Sequence, residues 1–348
     1  MISPTLVLVI VIIAVALTFD YINGFHDAAN SVATIVATRV LTPFQAVLWA
    51  AFWNFIAAVP ALLGEGGLRV AKTVGAGMVT ERYVTEHVVL AGLLGAIAWD
   101  LITWWFGLPT SSSHALIGGY AGAAMARAVT LHGWASAGGA IIVSGWLKTI
   151  FFIIVAPLLG MLLAYTLMIS VYWLFRRSTP QYMDFWFRKL QLVSAAMFSY
   201  AHGANDAQKT MGIMTSVLVA AGYLSEFRVE PWVIFSAHAA IALGTMTGGW
   251  RIVHTMGGRL TRLKPRGGFC AESAGAIAIL FPTQLGIPVS TTHVITGAIA
   301  GVGSIQRPKA VRWKLASNIL WAWLLTLPMS ALIAALLFAL IHAIPGAG

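Results

Sequence analysis

Two polar motifs recur in this chain at one fixed separation, and that repetition limits its possible folds more than any other feature. Gly24-Phe25-His26-Asp27-Ala28 is matched by Gly203-Ala204-Asn205-Asp206-Ala207, and Pro109-Thr110-Ser111-Ser112-Ser113-His114 by Pro288-Val289-Ser290-Thr291-Thr292-His293. Both matches fall at an offset of 179 residues (24 to 203, 109 to 288), and Gly107, Gly118 and Gly122 meet Gly286, Gly297 and Gly301 at the same offset. Two unrelated motifs do not keep one spacing by chance. The chain is a tandem duplication, so whatever one half folds into, the other must also adopt.

Between the motifs the sequence is apolar. Hydrophobic residues make up 59% of the 348 and charged ones only 9%, against about 25% in an ordinary soluble domain. A mean hydropathy of +0.84 and runs such as Leu6–Leu17 predict an all-α polytopic membrane protein. That excludes a soluble enzyme, a nucleic-acid binder and a disordered chain. The first apolar run carries no basic residue ahead of it and leads into a repeated motif, so it is expected to be a permanent helix and not a signal peptide. The single cysteine, Cys270, offers no intrachain disulfide.

Charge gives the relative orientation of the halves. The joining segment holds Arg176, Arg177, Arg188 and Lys189 against Asp184. The second half holds Arg251, Arg259, Arg262, Lys264 and Arg266 in one loop and Arg307, Lys309, Arg312 and Lys314 in the next, with no acid between them. The equivalent first-half loops balance Arg69, Lys72 and Arg82 with Glu65, Glu81 and Glu86, or carry only Arg127. Short basic loops stay cytoplasmic, so equivalent loops face opposite sides, the signature of two inverted-topology repeats. Residues 1–175 form the first repeat, 176–190 a short basic cytoplasmic linker and 191–348 the second repeat, with both termini outside. The net charge of +10 is then a matter of topology and implies no nucleic acid. Because the loops at 251–266 and 307–314 are both inside, residues 267–306 must go in and come back. Pro288 breaks the helix between them. Residues 85–127 are the inverted copy. Broken helices and two helical hairpins, re-entrant or crossing, are expected.

Four polar clusters interrupt the apolar sequence, at Asn23–Ser31, Ser111–His114, His202–Lys209 and Ser290–His293. Polar groups in hydrocarbon are costly and mark function by default. Ser111, Ser112, Ser113, Ser290, Thr291 and Thr292 supply hydroxyl donors, each run opening a helix whose N–H groups and dipole favour an oxyanion. Asp27, Asp206, Asn23, Asn30 and Asn205 supply oxygens suited to Na⁺ or a proton, with Asp27 and Asp206 as the charged pair. Lys209 takes the place that Asn30 has in the first repeat, and either forms a plain ion pair with Asp206, or takes the place of one coupling cation or attracts the anion, lowering the number of ions each cycle needs.

Those clusters resemble the signatures of the inorganic phosphate transporter (PiT) family, bacterial type. Asp20–Thr34 is similar to its first signature, His202–Lys209 to its second, and Pro109–His114 and Pro288–His293 to its two hairpin motifs; the likeness runs from about residue 4 to 342. The resemblance implies symport of phosphate with Na⁺ or H⁺, a substrate site between the hairpins, a homodimer and no cofactor. It also implies residence in the cell inner membrane. The short linker departs from eukaryotic relatives, which carry a large cytoplasmic domain there.

Duller readings stand beside these. Asp27 and Asp206 could cap helix breaks, and the hydroxyl runs could bond back to helix carbonyls. His26, His114, His202 and His293 are expected to bond backbone carbonyls in preference to acting as ligands. Asp100, Glu272, Asn54 and Asn318 sit in apolar stretches without an assigned role, and Trp99, Trp104, Trp105, Phe106, Trp313, Trp321 and Trp323 anchor or pack. Rival functions are an anion channel and an intramembrane hydrolase using Ser111 or Ser113 with His114. The paired acids argue against the first, and the absence of a nucleophile elbow argues against the second and against an enzyme. Sequence leaves open Na⁺ or H⁺, and free phosphate or a neutral metal–phosphate complex.

Overall fold

The computed structural model describes residues 3–64, 67–259, 261–306 and 312–344, and these are all-helical. Glu65, Arg307 and Lys309, used above to orient the loops, lie outside the described residues. The first half runs α1 (Pro4–Ala37), α2 (Pro43–Ile56), α3 (Ala58–Leu62), α4 (Arg69–Ala76), α5 (Glu86–Trp105), α6 (Ser112–His132) and α7 (Val143–Leu174). The second runs α8 (Pro180–Ala220), α9 (Pro231–Thr247), α10 (Trp250–His254), α11 (Pro265–Gln284), α12 (Thr291–Gln306) and α13 (Trp313–His342). Among the described residues, α1, α2 with α3, α5, α7 and α13 are long and apolar enough to cross a membrane.

Local chemistry explains the boundaries. Helices α1, α2 and α8 begin with proline in the first turn, where its missing N–H costs nothing. The preceding Ser3, Thr42 and Thr179 accept a backbone N–H through their side chains, a hydroxyl cap that satisfies an otherwise orphaned donor. The arms α5 and α11 end 179 residues apart (105 and 284), and Gly107 and Gly286 then turn the chain at φ of 66° and 74°, a conformation that a side chain disfavours. The second arms, α6 and α12, restart at Ser112 and Thr291, again at that offset. Inside α7 and α13 lie Pro157 and Pro328.

Each half closes on the other. Helix α1 packs on α9 as α8 packs on α2; α6 and α5 pack on α13 as α12 and α11 pack on α7. Of the six-residue interruption between the arms of each hairpin (106–111 and 285–290), the later part, 109–111 and 286–290, is buried, while Phe106 and Leu285 remain exposed.

Two expectations are corrected. The polar motifs do not break their helices: α1 and α8 run unbroken through Asn23–Ser31 and His202–Lys209, because neither motif contains proline and its polar side chains find partners on neighbouring helices. The hairpins break at their tips, and α2/α3 and α9/α10 are interrupted at Ala57 and at Gly248–Gly249. Nor is 176–190 a loop throughout; only 175–179 joins the helices, and from Pro180 the basic residues lie on the first turns of α8.

Candidate functional site

The polar residues of α1 at 23, 26, 27 and 30, and those of α8 at 202, 205, 206 and 209, share one spacing: i, i+3, i+4, i+7. That spacing puts four side chains on a single face of a helix. Asn23, His26, Asp27 and Asn30 thus answer His202, Asn205, Asp206 and Lys209, with asparagine and histidine exchanged and the last asparagine replaced by lysine. All are buried, each at most 1% exposed except Asp27 at 2%.

The hairpin tips converge on these two faces. Ser111 and Ser290 each cap a second arm, their Oγ accepting the His114 and His293 backbone N–H at 3.2 Å in both halves. The Asn30 amide donates to Thr291 and Thr292 at 3.3 and 2.9 Å, Thr291 donates to Asp27 at 3.4 Å, and Thr292 donates to the Thr110 carbonyl at 3.0 Å, tying one tip to the other. From α8, the Lys209 ammonium donates to Asp206, to the Ser113 hydroxyl and to the Val289 carbonyl, so it too spans both tips. The His114 and His293 rings meet edge to face with centroids 4.8 Å apart. His293 in turn stacks on Trp323, whose Nε1 donates to the Pro109 carbonyl. Trp323 packs beneath the tips.

At the centre, Asp27, His202 and Asp206 each bring one ligand atom within 4.8 Å of the others. Two full carboxylate charges that close repel by roughly 3–4 kcal/mol at an effective dielectric constant near 20, so the pair calls for positive charge. His26 meets Asp27 at 3.0 Å through Nδ1 and Thr103 at 3.1 Å through Nε2. His202 meets the Asn54 carbonyl oxygen at 3.1 Å through Nδ1, leaving Nε2 3.4 Å from Asp206, an electrostatic contact and not a hydrogen bond. Among the described residues, the buried side-chain oxygens of Asn23 and Asn205 find no donor and the Ser112 hydroxyl no partner. The Asn205 amide is spent on Thr283 at 2.7 Å. A buried carboxylate pair, one imidazole nitrogen and free amide oxygens fit a cation; two hydroxyl-bearing helix N-termini beside them fit an oxyanion.

The sequence reading under-rated the histidines. His26 and His202 bond side chains at the centre, not backbone carbonyls. The signal was present, since His202 precedes Asp206 by four residues, one helical turn on the same face. It also missed how the arms are held. Arg251 Nη1 donates to the Trp105 carbonyl at the end of α5, and Arg69 Nη1 to the Gln284 carbonyl at the end of α11, each arginine serving the other half's hairpin. Glu272 does not stand alone: Thr34, Gln191 and Ser194 donate to its carboxylate, and Thr38 donates to Gln191.

The chain is similar to known proteins in sequence and in fold. The sequence model of the phosphate transporter family matches residues 23–186 and 176–334. A Rhizobium meliloti protein described as "Probable low-affinity inorganic phosphate transporter" is 55% identical over 332 residues, 95% of this chain and 96% of its own length. A Bacillus subtilis protein of the same description is 43% identical over 343 residues, covering 97% and 98%. A solved structure described as "The sodium-dependent phosphate transporter" superposes with a TM-score of 0.84 over 97% of this chain and all of that one, at 23% identity, a likeness of fold.

Proposed function

This chain belongs to the phosphate transporter family, and from that premise we propose that it is a secondary symporter importing inorganic phosphate with a cation by alternating access. The observation that carries the mechanism is the meeting of two helix N-termini, each with its row of hydroxyls, against a buried pair of carboxylates. Phosphate lies between Ser111–Ser113 and Ser290–Thr292, held by hydroxyls and first-turn N–H groups of α6 and α12, with Lys209 in reach of both tips. The cation lies at Asp27 and Asp206, with His202, the free oxygens of Asn23 and Asn205, and Asn30 around it. Anion and cation neutralise each other's charge, so they load together.

The matched helix boundaries and cross-packed halves support two repeats, 1–175 and 191–348, inverted about the membrane plane, with re-entrant hairpins whose tips stop at the centre. Rocking of one assembly of helices against the other then exposes the sealed site to either side. The carrier is a multi-pass membrane protein. We place it in the cell inner membrane, as a homodimer, with the basic 176–190 segment cytoplasmic and both termini outside. Na⁺ and H⁺ both suit the carboxylates; the imidazole nitrogen of His202 also suits a divalent metal arriving as a metal–phosphate complex.

Uptake of labelled phosphate into proteoliposomes, with Na⁺ and pH gradients imposed separately and divalent ions added or chelated, tests the reading. Saturable uptake that follows one cation gradient is expected. Uptake that does not saturate and ignores both gradients would sink it.

A further inference from the structure

The two motif helices present the same four positions to the same centre, yet only one carries an ammonium there. In the first half the fourth position is Asn30, a neutral amide whose hydrogens go to Thr291 and Thr292. In the second it is Lys209, 1% exposed, bound to a carboxylate oxygen of Asp206, the Ser113 hydroxyl and the Val289 carbonyl. A carboxylate, a hydroxyl and a backbone carbonyl, drawn from one helix and two hairpin tips, are the oxygen set that a small hard cation takes. The ammonium occupies it on a tether.

Charge makes the consequence specific. Asp27 and Asp206 give the centre two negative charges and Lys209 gives one positive, with one charge left to balance before phosphate arrives. The ionisable groups that act on Lys209 from the surrounding elements are Asp206 on α8, with His202 beside it, Asp20 on α1, which accepts from the Thr210 hydroxyl, and His114 on α6. Asp27 lies beyond Asp206 in the central group. Among the described residues no lysine or arginine meets Asp27: its contacts are the His26 imidazole at 3.0 Å and the Thr291 hydroxyl. We infer that Lys209 is a built-in cation filling the second of two matched carboxylate sites, so that the carrier loads one cation fewer per phosphate than a pair of asparagine-bearing sites would. Resting on the symport reading above, this makes Lys209 the residue that sets the coupling number. A lysine kept only to pair with Asp206 would have no reason to reach both hairpin tips. An ammonium standing in for a transported ion would take the oxygens that the ion would take, and here those come from both tips.

The test is Lys209→Asn, which gives the second half the first half's residue. In proteoliposomes, the phosphate accumulation ratio is measured against the size of an imposed Na⁺ or proton gradient, whichever the wild type follows. The variant is expected to show a coupling exponent raised by one. An unchanged exponent in the variant overturns the inference. If the variant binds but does not transport, its melting temperature in detergent is followed against NaCl, with choline chloride as control, at several pH values. A cation- or acid-dependent rise absent from wild type supports the inference, and identical responses overturn it. A wild type that follows no gradient would defeat the symport reading instead, while the melting comparison would still judge the ammonium.

Discussion

The two hairpins are matched at their tips and mismatched in the arms behind them. At the tips, Ser111 and Ser290 cap with the same 3.2 Å bond, Gly107 and Gly286 turn with nearly the same φ, and an arginine from the opposite half closes each first arm. Behind the tips, α5 buries Asp100 and α11 buries Glu272, and neither acid has a counterpart, since the matching positions are Ile279 and Leu93. Tips that must grip one anion from two sides are constrained together. Nothing holds the arms to each other, so they are free to diverge, and there the halves acquire different work.

The largest expected effect is the loss of either central carboxylate. Asp27→Asn and Asp206→Asn should each abolish gradient-driven phosphate uptake while leaving the purified protein folded. If only one of them mattered, the equivalence of the halves at the centre would be broken. Next come the tips. Ser112→Ala and Thr291→Ala should each weaken apparent phosphate affinity by roughly 1–3 kcal/mol if a buried partner is left unpaired. Saturation curves for the two variants measure this, and a bound-phosphate structure with neither tip in hydrogen-bond range would end the assignment.

How much of this was legible in the sequence follows from where the partners sit. The duplication, the tips and the acids Asp27 and Asp206 were visible because each signal is local or recurs at one offset. The unbroken course of α1 and α8 was not. Whether a helix survives a run of Asn, His and Asp depends on whether Thr103, Thr291 and Asn54, distant in sequence, come to meet it. Glu272 was likewise ambiguous until Thr34, Gln191 and Ser194 gathered round it from two other helices. Lys209 could be singled out from its mismatch with Asn30, but its reach to both tips could not.

The arms offer a sharper contrast, with opposite signs. Glu272 is 0% exposed and both of its oxygens accept hydrogen bonds, so Glu272→Gln, which turns one acceptor into a donor facing Ser194 or Thr34, should lower stability by roughly 1–3 kcal/mol. Asp100 is equally buried, yet among the described residues neither carboxylate oxygen finds a hydrogen-bond donor, although the Ser112 hydroxyl lies near. An unsatisfied buried carboxylate is costly, so Asp100→Asn should leave melting unchanged or raise it. Melting temperatures of the two variants in one detergent and buffer decide this. If both fell equally, the arms would be less different than they look.

The smallest effect concerns the arginines that close the first arms. Each donates to a carbonyl in the last turn of a helix, where orphaned C=O groups gather and the dipole favours positive charge. Both side chains are exposed, so water competes for the same carbonyls and salt screens the attraction. Arg69→Gln and Arg251→Gln should therefore each cost only about 0.3–1 kcal/mol, the usual worth of a cation at an exposed helix C-terminus. Because Arg251 also lies over the Trp104 and Trp105 rings, at 5.0 and 4.3 Å, its loss should fall at the upper end and Arg69's at the lower. Melting in low salt and again in high salt separates the contributions. The dipole part should fade with salt in both variants, and the stacking part should persist in Arg251→Gln alone. Equal losses at every salt concentration would mean that the aromatic contacts add nothing, and that the two hairpins are closed in the same way.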